Sequence, residues 1–197
     1  MESAPALDFR GVSKRYGATP ALSDFTLPIP RGIVFGLVGG NGAGKTTLIK
    51  CLLDFCTTDS GEIRLFGLSH RLTGSRARLA FLPERFNAPY YLSGRDFMRY
   101  MAQMHKTQYE EERVRETFAR LDLAPDALSK PVRAYSKGMT QKLGLAACLA
   151  SGKPLQVLDE PTSGLDPKAR ALLKRELLAR RDAGATIFLT SHAHADV

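Results

Sequence analysis

Nine consecutive residues combine a permissive glycine backbone with one cation and two hydroxyl groups. They are Gly39, Gly40, Asn41, Gly42, Ala43, Gly44, Lys45, Thr46 and Thr47. The apolar run Ile33–Val38 precedes them, and Leu48–Leu53 follows with a helical pattern. In the order strand, loop and helix, backbone N–H groups and the positive end of the helix can surround an anion. Lys45 would then contact the β- and γ-phosphates of a nucleotide, and Thr46 would offer its hydroxyl to Mg²⁺. The stretch predicts a phosphate-binding loop.

Two adjacent carboxylates end a later apolar strand, predicted from Leu155 to Glu160. Asp159 could hold Mg²⁺ directly or through water, and Glu160 could orient or deprotonate an attacking water. The alternative is that both acids simply begin a polar loop. Beside a phosphate loop, the pair indicates chemistry at a phosphoryl group.

A histidine follows the last predicted strand, Ala185–Thr190. Ligands bind outside the carboxyl ends of the strands in open α/β folds, so His192 is placed to hydrogen-bond a phosphate. His192 and His194 together could suggest a metal site, but no third ligand lies nearby in the sequence. We therefore interpret His192 as a phosphate contact.

The composition sets bounds on the class of protein. The chain has 197 residues, 44% of them hydrophobic, which suits one domain with an ordinary core. No apolar run approaches the roughly 18 residues of a spanning helix, and Met1–Pro5 lacks signal-peptide features, so we expect a protein that is soluble and not exported. Cys51, Cys56 and Cys148 form an odd, scattered set without metal-ligand spacing, as in a reducing cytosol. We expect Cys51 and Cys148 to pack in the core.

The net charge of +8 could attract nucleic acid or an anionic membrane surface. The 28 basic residues are dispersed, however, and aromatic residues do not alternate with them in an RNA-binding pattern. We interpret the charge as a generally basic surface and do not expect nucleic acid as a partner.

Strands and helices must position these groups. Short patterned segments predict strands at Leu7–Val12, Leu22–Ile29, Glu62–Gly67 and Arg78–Leu82. Between the first two strands, Lys14–Gly17 is predicted as a loop. Tyr16 in this loop is either a turn residue or a flat platform for an adenine ring.

The middle of the chain is predicted to be helical. Ser93, with Asp96 three residues on, predicts an N-cap, and the helix after it has an apolar face of Phe97, Met101 and Met104. A second helix is predicted at Tyr109–Leu123, with Val114, Phe118 and Leu121 on one side. The pattern thus predicts a helical insertion at about residues 88–145 in an otherwise alternating α/β chain.

Two further helices carry recognisable caps. Ser136 predicts an N-cap before a helix with a small-residue face, and Asp166 predicts another, with Pro167 at the first helical position. The second of these helices is expected to stop at Gly184.

Together, these residues resemble the nucleotide-binding domain of the ATP-binding cassette (ABC) transporter family over nearly the whole chain. Tyr16 is similar to its adenine-stacking aromatic, Gly39–Thr47 to its phosphate loop, and Asp159–Thr162 to its second nucleotide motif. Tyr135–Met139 resembles the family signature, usually LSGGQ. A further similarity is to the family's dimer-contact loop, at Ser163, Gly164, Leu165 and Asp166. His192 is similar to the family's switch histidine.

The resemblance implies a fold of class α/β. Its parts are a P-loop NTPase core with a mainly parallel sheet, an N-terminal antiparallel β subdomain and an inserted α-helical subdomain. Residues 1–197 would form one ABC ATPase domain, with the core and β subdomain at about 1–87 and 146–197. The helical subdomain with the signature would cover about 88–145.

The resemblance also implies ATP and Mg²⁺ as cofactors and a composite site. The phosphate loop of one chain would hold ATP against Ser136, Lys137, Gly138 and Met139 of a second ABC chain. Glu160-assisted hydrolysis would release the dimer and drive a separate transmembrane permease subunit, with the chain peripheral on the inner face of the cell membrane. The form Ser-Lys-Gly-Met is similar to exporter-type cassettes. An alternative is a soluble ABC-type ATPase acting on nucleic acid or ribosomes.

The chain departs from the family pattern in several places. Glu84 stands where the family usually has a glutamine that binds Mg²⁺, so its contact with the metal is left open. Lys137 replaces the first glycine of the signature, Met139 replaces its glutamine, and Gly40 adds freedom to the phosphate loop. The chain stops five residues after His192, where family members normally continue, so we expect the C-terminal part of the usual domain to be missing.

Overall fold

The computed structural model describes residues 4–192. The strands are β1 (Leu7–Tyr16), β2 (Thr19–Ile29), β3 (Val34–Val38), β4 (Ser60–Leu65), β5 (Leu68–Ser69), β6 (Leu79–Leu82), β7 (Leu155–Leu158) and β8 (Thr186–Ser191). The α-helices are α1 (Lys45–Leu52), α2 (Thr73–Arg76), α3 (Gly94–Met104), α4 (Glu111–Arg120), α5 (Lys137–Ala150) and α6 (Pro167–Asp182). Short 3-10 helices cover Pro125–Ser129 and Val132–Ala134.

The strands form two sheets, which confirms the predicted α/β class with an antiparallel N-terminal part. The antiparallel sheet has the order β2-β1-β4-β5, and the parallel sheet has the order β3-β8-β7-β6. In the parallel sheet Val38 pairs with Ser191, and Leu82 pairs with Leu158. All four strands of this sheet therefore end at one edge, where the phosphate loop, residue 84, the two carboxylates and His192 follow.

A shared hydrophobic core holds the two sheets and α1 together. Phe188 of the parallel sheet lies 6.2 Å from Phe9 of the antiparallel sheet, measured between ring centroids. Leu48, Ile49 and Cys51 of α1 are buried in the same cluster. Burial of these side chains fixes the helix whose first turn closes the phosphate loop. Cys148 is buried in a second cluster, so both cysteines expected in the core are there.

The second hydrophobic cluster joins α3, α4 and α5 to the parallel sheet. Phe97, Met98 and Phe118 are buried in it. The prediction for Met104 is wrong, because its side chain is 63% exposed. Met101 packs against the cluster as predicted, but residues 103 and 104 are both exposed, so the packed surface of α3 does not reach the end of the helix. Met98, which was not among the residues predicted for the apolar face, is buried instead of Met104.

The predicted N-caps are confirmed. The Ser93 hydroxyl accepts a hydrogen bond from the Asp96 N–H at 3.1 Å, and the Asp166 carboxylate accepts one from the Ala169 N–H at 2.8 Å. The hydroxyl of Ser136 accepts the N–H of Met139 at 3.2 Å. Each cap satisfies one donor that the helix leaves free.

Several boundaries differ from those predicted. The loop predicted at Lys14–Gly17 is confined to Gly17, because β1 continues to Tyr16, which pairs with Thr19 across a two-residue turn. α4 is shorter than Tyr109–Leu123, and β7 ends before its two carboxylates. Helix α2 was not predicted, since four residues are too few to show a helical period.

None of the helices within residues 4–192 has the length and apolar character needed to cross a bilayer.

Candidate nucleotide-binding site

The predicted phosphate loop connects β3 to α1 as the sequence indicated. Gly44 is the residue before the helix and has φ 85°, a left-handed conformation. A Cβ at this position would lie 2.4 Å from the carbonyl oxygen of Ala21. Glycine is required there both by the backbone angle and by the close approach of β2. The N–H of Gly39 donates to the carbonyl of Ser191 at 3.2 Å, which ties the start of the loop to the end of β8.

Lys45 lies folded back across the loop, with its side chain only 6% exposed. Its Nζ donates to the carbonyls of Gly39 and Gly40, the latter at 3.2 Å. Nζ also lies 3.1 Å from His192 Nδ1 and 3.8 Å from Glu160 Oε1. An ammonium can only donate, so Nδ1 of His192 accepts and carries no proton in this arrangement. Lys45 thus connects the loop to the carboxylate and the histidine.

Asp159 sits directly after β7 and is 3% exposed. The Thr190 hydroxyl donates to its Oδ1 at 2.6 Å, and the Thr46 hydroxyl lies 3.4 Å from its Oδ2. Burial raises the pKa of Asp159, and the nearby charge of Glu84 raises it further, while the bond from Thr190 lowers it. A bound cation would therefore stabilise the charged form of Asp159.

Glu160 has a left-handed backbone with φ 48°, which is unusual for a residue with a side chain. Its N–H donates to the Thr190 hydroxyl at 3.0 Å, so one threonine holds both adjacent acids. The N–H of His192 donates to Glu160 Oε2 at 3.3 Å, and His192 Nε2 lies 3.3 Å from Oε1. Burial raises the pKa of Glu160. The strained backbone, held by these bonds, is typical of a functional position.

Glu160 Oε1 is buried and accepts no well-formed hydrogen bond from the described residues 4–192. The Nε2 of His192 and the Nζ of Lys45 are near it but not well aligned. An oxygen of this kind is available to a proton donor that enters the site, such as a water.

A cavity of about 210 Å³ lies beside the phosphate loop, with Glu84, Glu160 and His192 among its lining residues. Tyr16 forms one wall, and its side chain is 51% exposed. Its hydroxyl contacts Cys56 Sγ at 3.8 Å, and this hydrogen bond is the main cause of its raised pKa. Glu84 is at the rim of the cavity and exposed. The structure therefore brings Tyr16, the loop, Glu84, Glu160 and His192 to one cavity.

The oxygens near Thr46 suit a magnesium ion. The hydroxyl of Thr46 and the carboxylate of Asp159 approach each other to 3.4 Å, and Glu84 adds a carboxylate at the same rim. Mg²⁺ prefers hard oxygen ligands and completes its shell with water and substrate phosphates. No cluster of three His, Cys, Asp or Glu side chains exists within residues 4–192, so no cage made by protein alone is present there.

The signature-like residues lie elsewhere on the surface. Ser136 and Lys137 are exposed at the start of α5, and neither lines the cavity of their own chain. They pack beside the predicted dimer-contact loop instead. A Cβ on Gly138 would lie 3.3 Å from the carbonyl of Gly164, and a Cβ on Gly164 would lie 3.3 Å from Cε of Lys137. The remaining members of the two motifs are half-buried Met139 and Ser163, buried Leu165 and exposed Asp166.

Sequence patterns missed two residues that organise the site. Thr190 holds Asp159 and Glu160, and a polar residue at the end of a buried strand was the available signal. Gln141 is 6% exposed and donates to the carbonyl of Pro161 at 3.1 Å. That bond connects α5 to the segment after the carboxylates. His194 lies outside the described residues.

Comparisons with known proteins show what this chain is similar to. A family model described as ABC transporter matches residues 22–163. The chain is 36% identical over 190 residues to a daunorubicin resistance ATP-binding protein of Streptomyces coeruleorubidus, covering 94% of this chain and 60% of that protein. It is 37% identical over 199 residues to Nod factor export ATP-binding protein I of Ralstonia nicotianae, covering 96% of this chain and 60% of that protein. A solved structure of an ATP-binding subunit of an ABC transporter superposes with a TM-score of 0.89 at 29% identity, covering 96% of this chain and 80% of that one. The chain spans about three fifths of the length of the two curated relatives.

Proposed function

Because this chain belongs to the ABC transporter family as an ATP-binding domain, we propose that it hydrolyses Mg-ATP in a dimer and drives a membrane exporter. The observation that carries the proposal is the convergence of Lys45, Asp159, Glu160 and His192 beside the phosphate loop. Buried charges of both signs at the mouth of an anion-binding loop are expected where a phosphoryl group is bound and attacked.

Binding begins with an exchange of partners at Lys45. Its ammonium now donates to loop carbonyls and to His192. The β- and γ-phosphates would replace these acceptors with charged oxygens, which form stronger hydrogen bonds. Backbone N–H groups of residues 40–46 and the N-terminus of α1 would complete the anion site. Tyr16 would stack on the adenine ring at the wall of the cavity.

Hydrolysis requires a general base and a group that contacts the γ-phosphate. Glu160 Oε1 would accept a hydrogen bond from the attacking water, and its raised pKa makes it a better proton acceptor. His192 Nε2–H would turn from Glu160 to an oxygen of the γ-phosphate. When bound, Mg²⁺ would supply charge neutralisation on the phosphates, with Thr46 and Asp159 as its protein ligands and Glu84 as a further candidate.

The site is incomplete within one chain. Ser136, Lys137, Gly138 and Met139 do not line the cavity, although Ser136 and Lys137 are exposed. A second chain in the opposite orientation would place its signature residues on the γ-phosphate. Since Lys137 packs on Gly164, the predicted dimer-contact loop would move together with the signature. ATP would thus hold two chains together, and hydrolysis would release them.

The membrane partner would bind next to the helical segment. A groove of about 610 Å³ lies between residues 84–87 and the start of α5. Tyr90 and Tyr91 are beside it in sequence and are 69% and 71% exposed. Two relatives whose names refer to Nod factor export and to daunorubicin resistance support an exporter. The chain would then lie at the inner face of the cell membrane, as one of two ABC chains beside a permease subunit.

The test compares ATP turnover and molecular mass in the native chain and in Glu160→Gln. We expect turnover to fall at least about a hundredfold in the variant, because general-base catalysis contributes at least that factor. Glu160→Gln should still bind ATP and should accumulate as an ATP-dependent dimer in light scattering. Glu116→Gln is the matched control, since Glu116 is exposed on α4 and does not line the cavity.

The result against the proposal would be turnover unchanged in Glu160→Gln, or mass unaffected by ATP in both proteins. Retention on RNA or DNA that depends on ATP would favour the soluble ATPase instead. Co-purification with a membrane subunit would support the exporter.

A further inference from the structure

Two cysteines five positions apart meet behind the nucleotide cavity. Cys51 lies in the last turn of α1, and Cys56 lies in the segment that follows the helix. Their Sγ atoms are 3.5 Å apart. The spacing of the cysteines in the sequence did not predict this contact, and neither cysteine is part of a disulfide.

The backbone reversal after α1 produces the contact. Asp54 has φ 62°, a left-handed conformation that turns the chain back on the helix. The N–H groups of Phe55 and Cys56 both donate to the carbonyl of Lys50, at 2.9 and 3.4 Å. Bonds of this kind end a helix by folding the chain over its last turn. Backbone hydrogen bonds therefore hold Cys56 against Cys51.

The two thiols differ in access. Cys51 is completely buried, and burial raises its pKa to about 12, so its sulfur stays protonated. Cys56 is partly exposed and can meet a small oxidant from solvent. Cys148 is buried in the other hydrophobic cluster, apart from this pair. A reaction that begins at the surface would begin at Cys56.

Cys56 also contacts the wall of the cavity. The hydroxyl of Tyr16 donates to Cys56 Sγ at 3.8 Å, and the Tyr16 ring faces the cavity beside the phosphate loop. Lys14 Nζ lies 5.6 Å from the centroid of the same ring. Any chemical change at Cys56 is thus one contact away from the side chain proposed to stack on adenine.

We propose that Cys51 and Cys56 form a reversible disulfide in response to peroxide, and that the disulfide weakens nucleotide binding through Tyr16. The pair is a modification site in contact with Tyr16, which lines the cavity. Its effect on nucleotide rests on the function proposed above, whereas its formation does not.

The chemistry has two steps. The Cys56 thiolate attacks one oxygen of hydrogen peroxide, the O–O bond breaks, and Cys56 becomes a sulfenic acid while hydroxide takes up the thiol proton as water. The sulfur of the Cys51 thiol then attacks the sulfenic sulfur and gives up its proton to the departing hydroxyl, so the S–O bond breaks and a second water leaves. The two thiols lose two electrons and two protons in total, and the peroxide is reduced to two waters. The sulfurs must close from 3.5 Å to about 2.0 Å, a shift that side-chain rotation can supply.

The disulfide would change the position of Tyr16. Once Cys56 Sγ turns toward Cys51, it moves away from the tyrosine hydroxyl. A disulfide sulfur is only a weak hydrogen-bond acceptor, so it would not restore this contact. Tyr16 would lose one of the contacts that orient its half-exposed ring, and part of the stacking on adenine would be lost with it. We expect nucleotide affinity to fall by about threefold to tenfold, the loss of one modest interaction.

The experiment treats the purified chain with stoichiometric hydrogen peroxide and analyses it by mass spectrometry after trypsin. Cleavage after Lys50 and Arg64 leaves both cysteines in one peptide, residues 51–64. That peptide should lose the mass of two hydrogens and regain it with dithiothreitol. In parallel, a fluorescent ATP analogue should bind the oxidised chain about threefold to tenfold more weakly and recover on reduction.

Two variants distinguish the effect of the Cys51–Cys56 disulfide from oxidation at other sites. Cys56→Ser keeps a hydroxyl near Tyr16 but cannot form the disulfide, so its affinity should not respond to peroxide. Cys148→Ala should keep the full response. The proposal is overturned if peptide 51–64 keeps its mass or gains oxygen instead, if the disulfide forms with unchanged affinity, or if Cys56→Ser still responds. Absence of analogue binding to the reduced chain would overturn the proposed function and the nucleotide effect together, while the peptide mass would still decide the disulfide.

Discussion

Replacing Thr190 by valine tests whether one hydroxyl positions both Asp159 and Glu160 after β7. The hydroxyl donates to Asp159 at 2.6 Å and accepts the N–H of Glu160 at 3.0 Å. Valine has nearly the same shape, so packing in β8 should be retained. The variant removes two hydrogen bonds and leaves both partners buried.

The expected cost follows from those two bonds. A hydrogen bond to a charged group contributes about 1.5–3 kcal/mol, and a buried N–H left without a partner costs about 1–3 kcal/mol. We expect the free energy of unfolding to fall by about 3–5 kcal/mol, allowing for partial relaxation. The pKa of Asp159 should rise further, since the bond from Thr190 now lowers it. Mg-ATP turnover should fall by about tenfold or more, because about 1.4 kcal/mol of lost transition-state stabilisation already gives that factor.

Urea unfolding and steady-state ATP turnover are the assays, with two matched variants. Thr186→Val changes another buried threonine, at the start of β8 and away from the site, whose hydroxyl accepts the Gly32 N–H at 2.9 Å. It should lose about 1–2 kcal/mol of stability and keep its turnover. Thr190→Ser should restore both properties. Equal losses of stability and turnover in Thr190→Val and Thr186→Val would refute the reasoning.

Three further predictions concern the loop, a cap and the pH dependence. Gly44→Ala should reduce stability by about 2–4 kcal/mol in urea unfolding and weaken ATP binding, because φ is 85° and its Cβ would meet the Ala21 carbonyl at 2.4 Å. Ser93→Ala should cost about 1 kcal/mol in the same assay with no change in nucleotide affinity, since it removes only a cap. Glu160→Gln should have a higher free energy of unfolding than the native chain at neutral pH. The raised pKa of Glu160 makes the native chain lose stability as pH rises from about 4.5 to the folded pKa.

Each of these predictions has a contrary result. Native-like ATP binding by Gly44→Ala would show that the loop tolerates a side chain at its closest contact. A larger effect of Ser93→Ala on nucleotide than on stability would contradict a purely structural cap. An identical pH profile of unfolding for Glu160→Gln and the native chain above pH 4.5 would mean that burial of this carboxylate has no net cost.

Local sequence signals predicted the elements of the site well. Residues 39–44 connect a strand to a helix that begins at Lys45, the order that the glycines, lysine and threonines of this stretch predicted. The caps at Ser93 and Asp166 were predictable since a side-chain oxygen satisfies an N–H three residues away. The class α/β followed from the alternation of short apolar runs with helical periods.

Boundaries that depend on partners were harder to predict. β1 extends to Tyr16 because β2 pairs with it, and propensity alone favoured a loop there. Met104 has the spacing of a buried residue, yet it is exposed since the packed surface of α3 ends earlier. α2 is too short to leave a periodic signal.

The sequence by itself determined that a phosphate loop, two acids and a histidine each follow a strand, because these are short-range patterns of residue type. Only the tertiary structure decided which of these groups touch. Parallel pairing of β3, β8 and β7 placed Lys45, Glu160 and His192 within 4 Å of one another. The same pairing gave Thr190 its role, and the chain reversal after α1 brought Cys56 to Tyr16. Such contacts depend on strand register and chain reversal, which are set by packing between segments distant in the sequence.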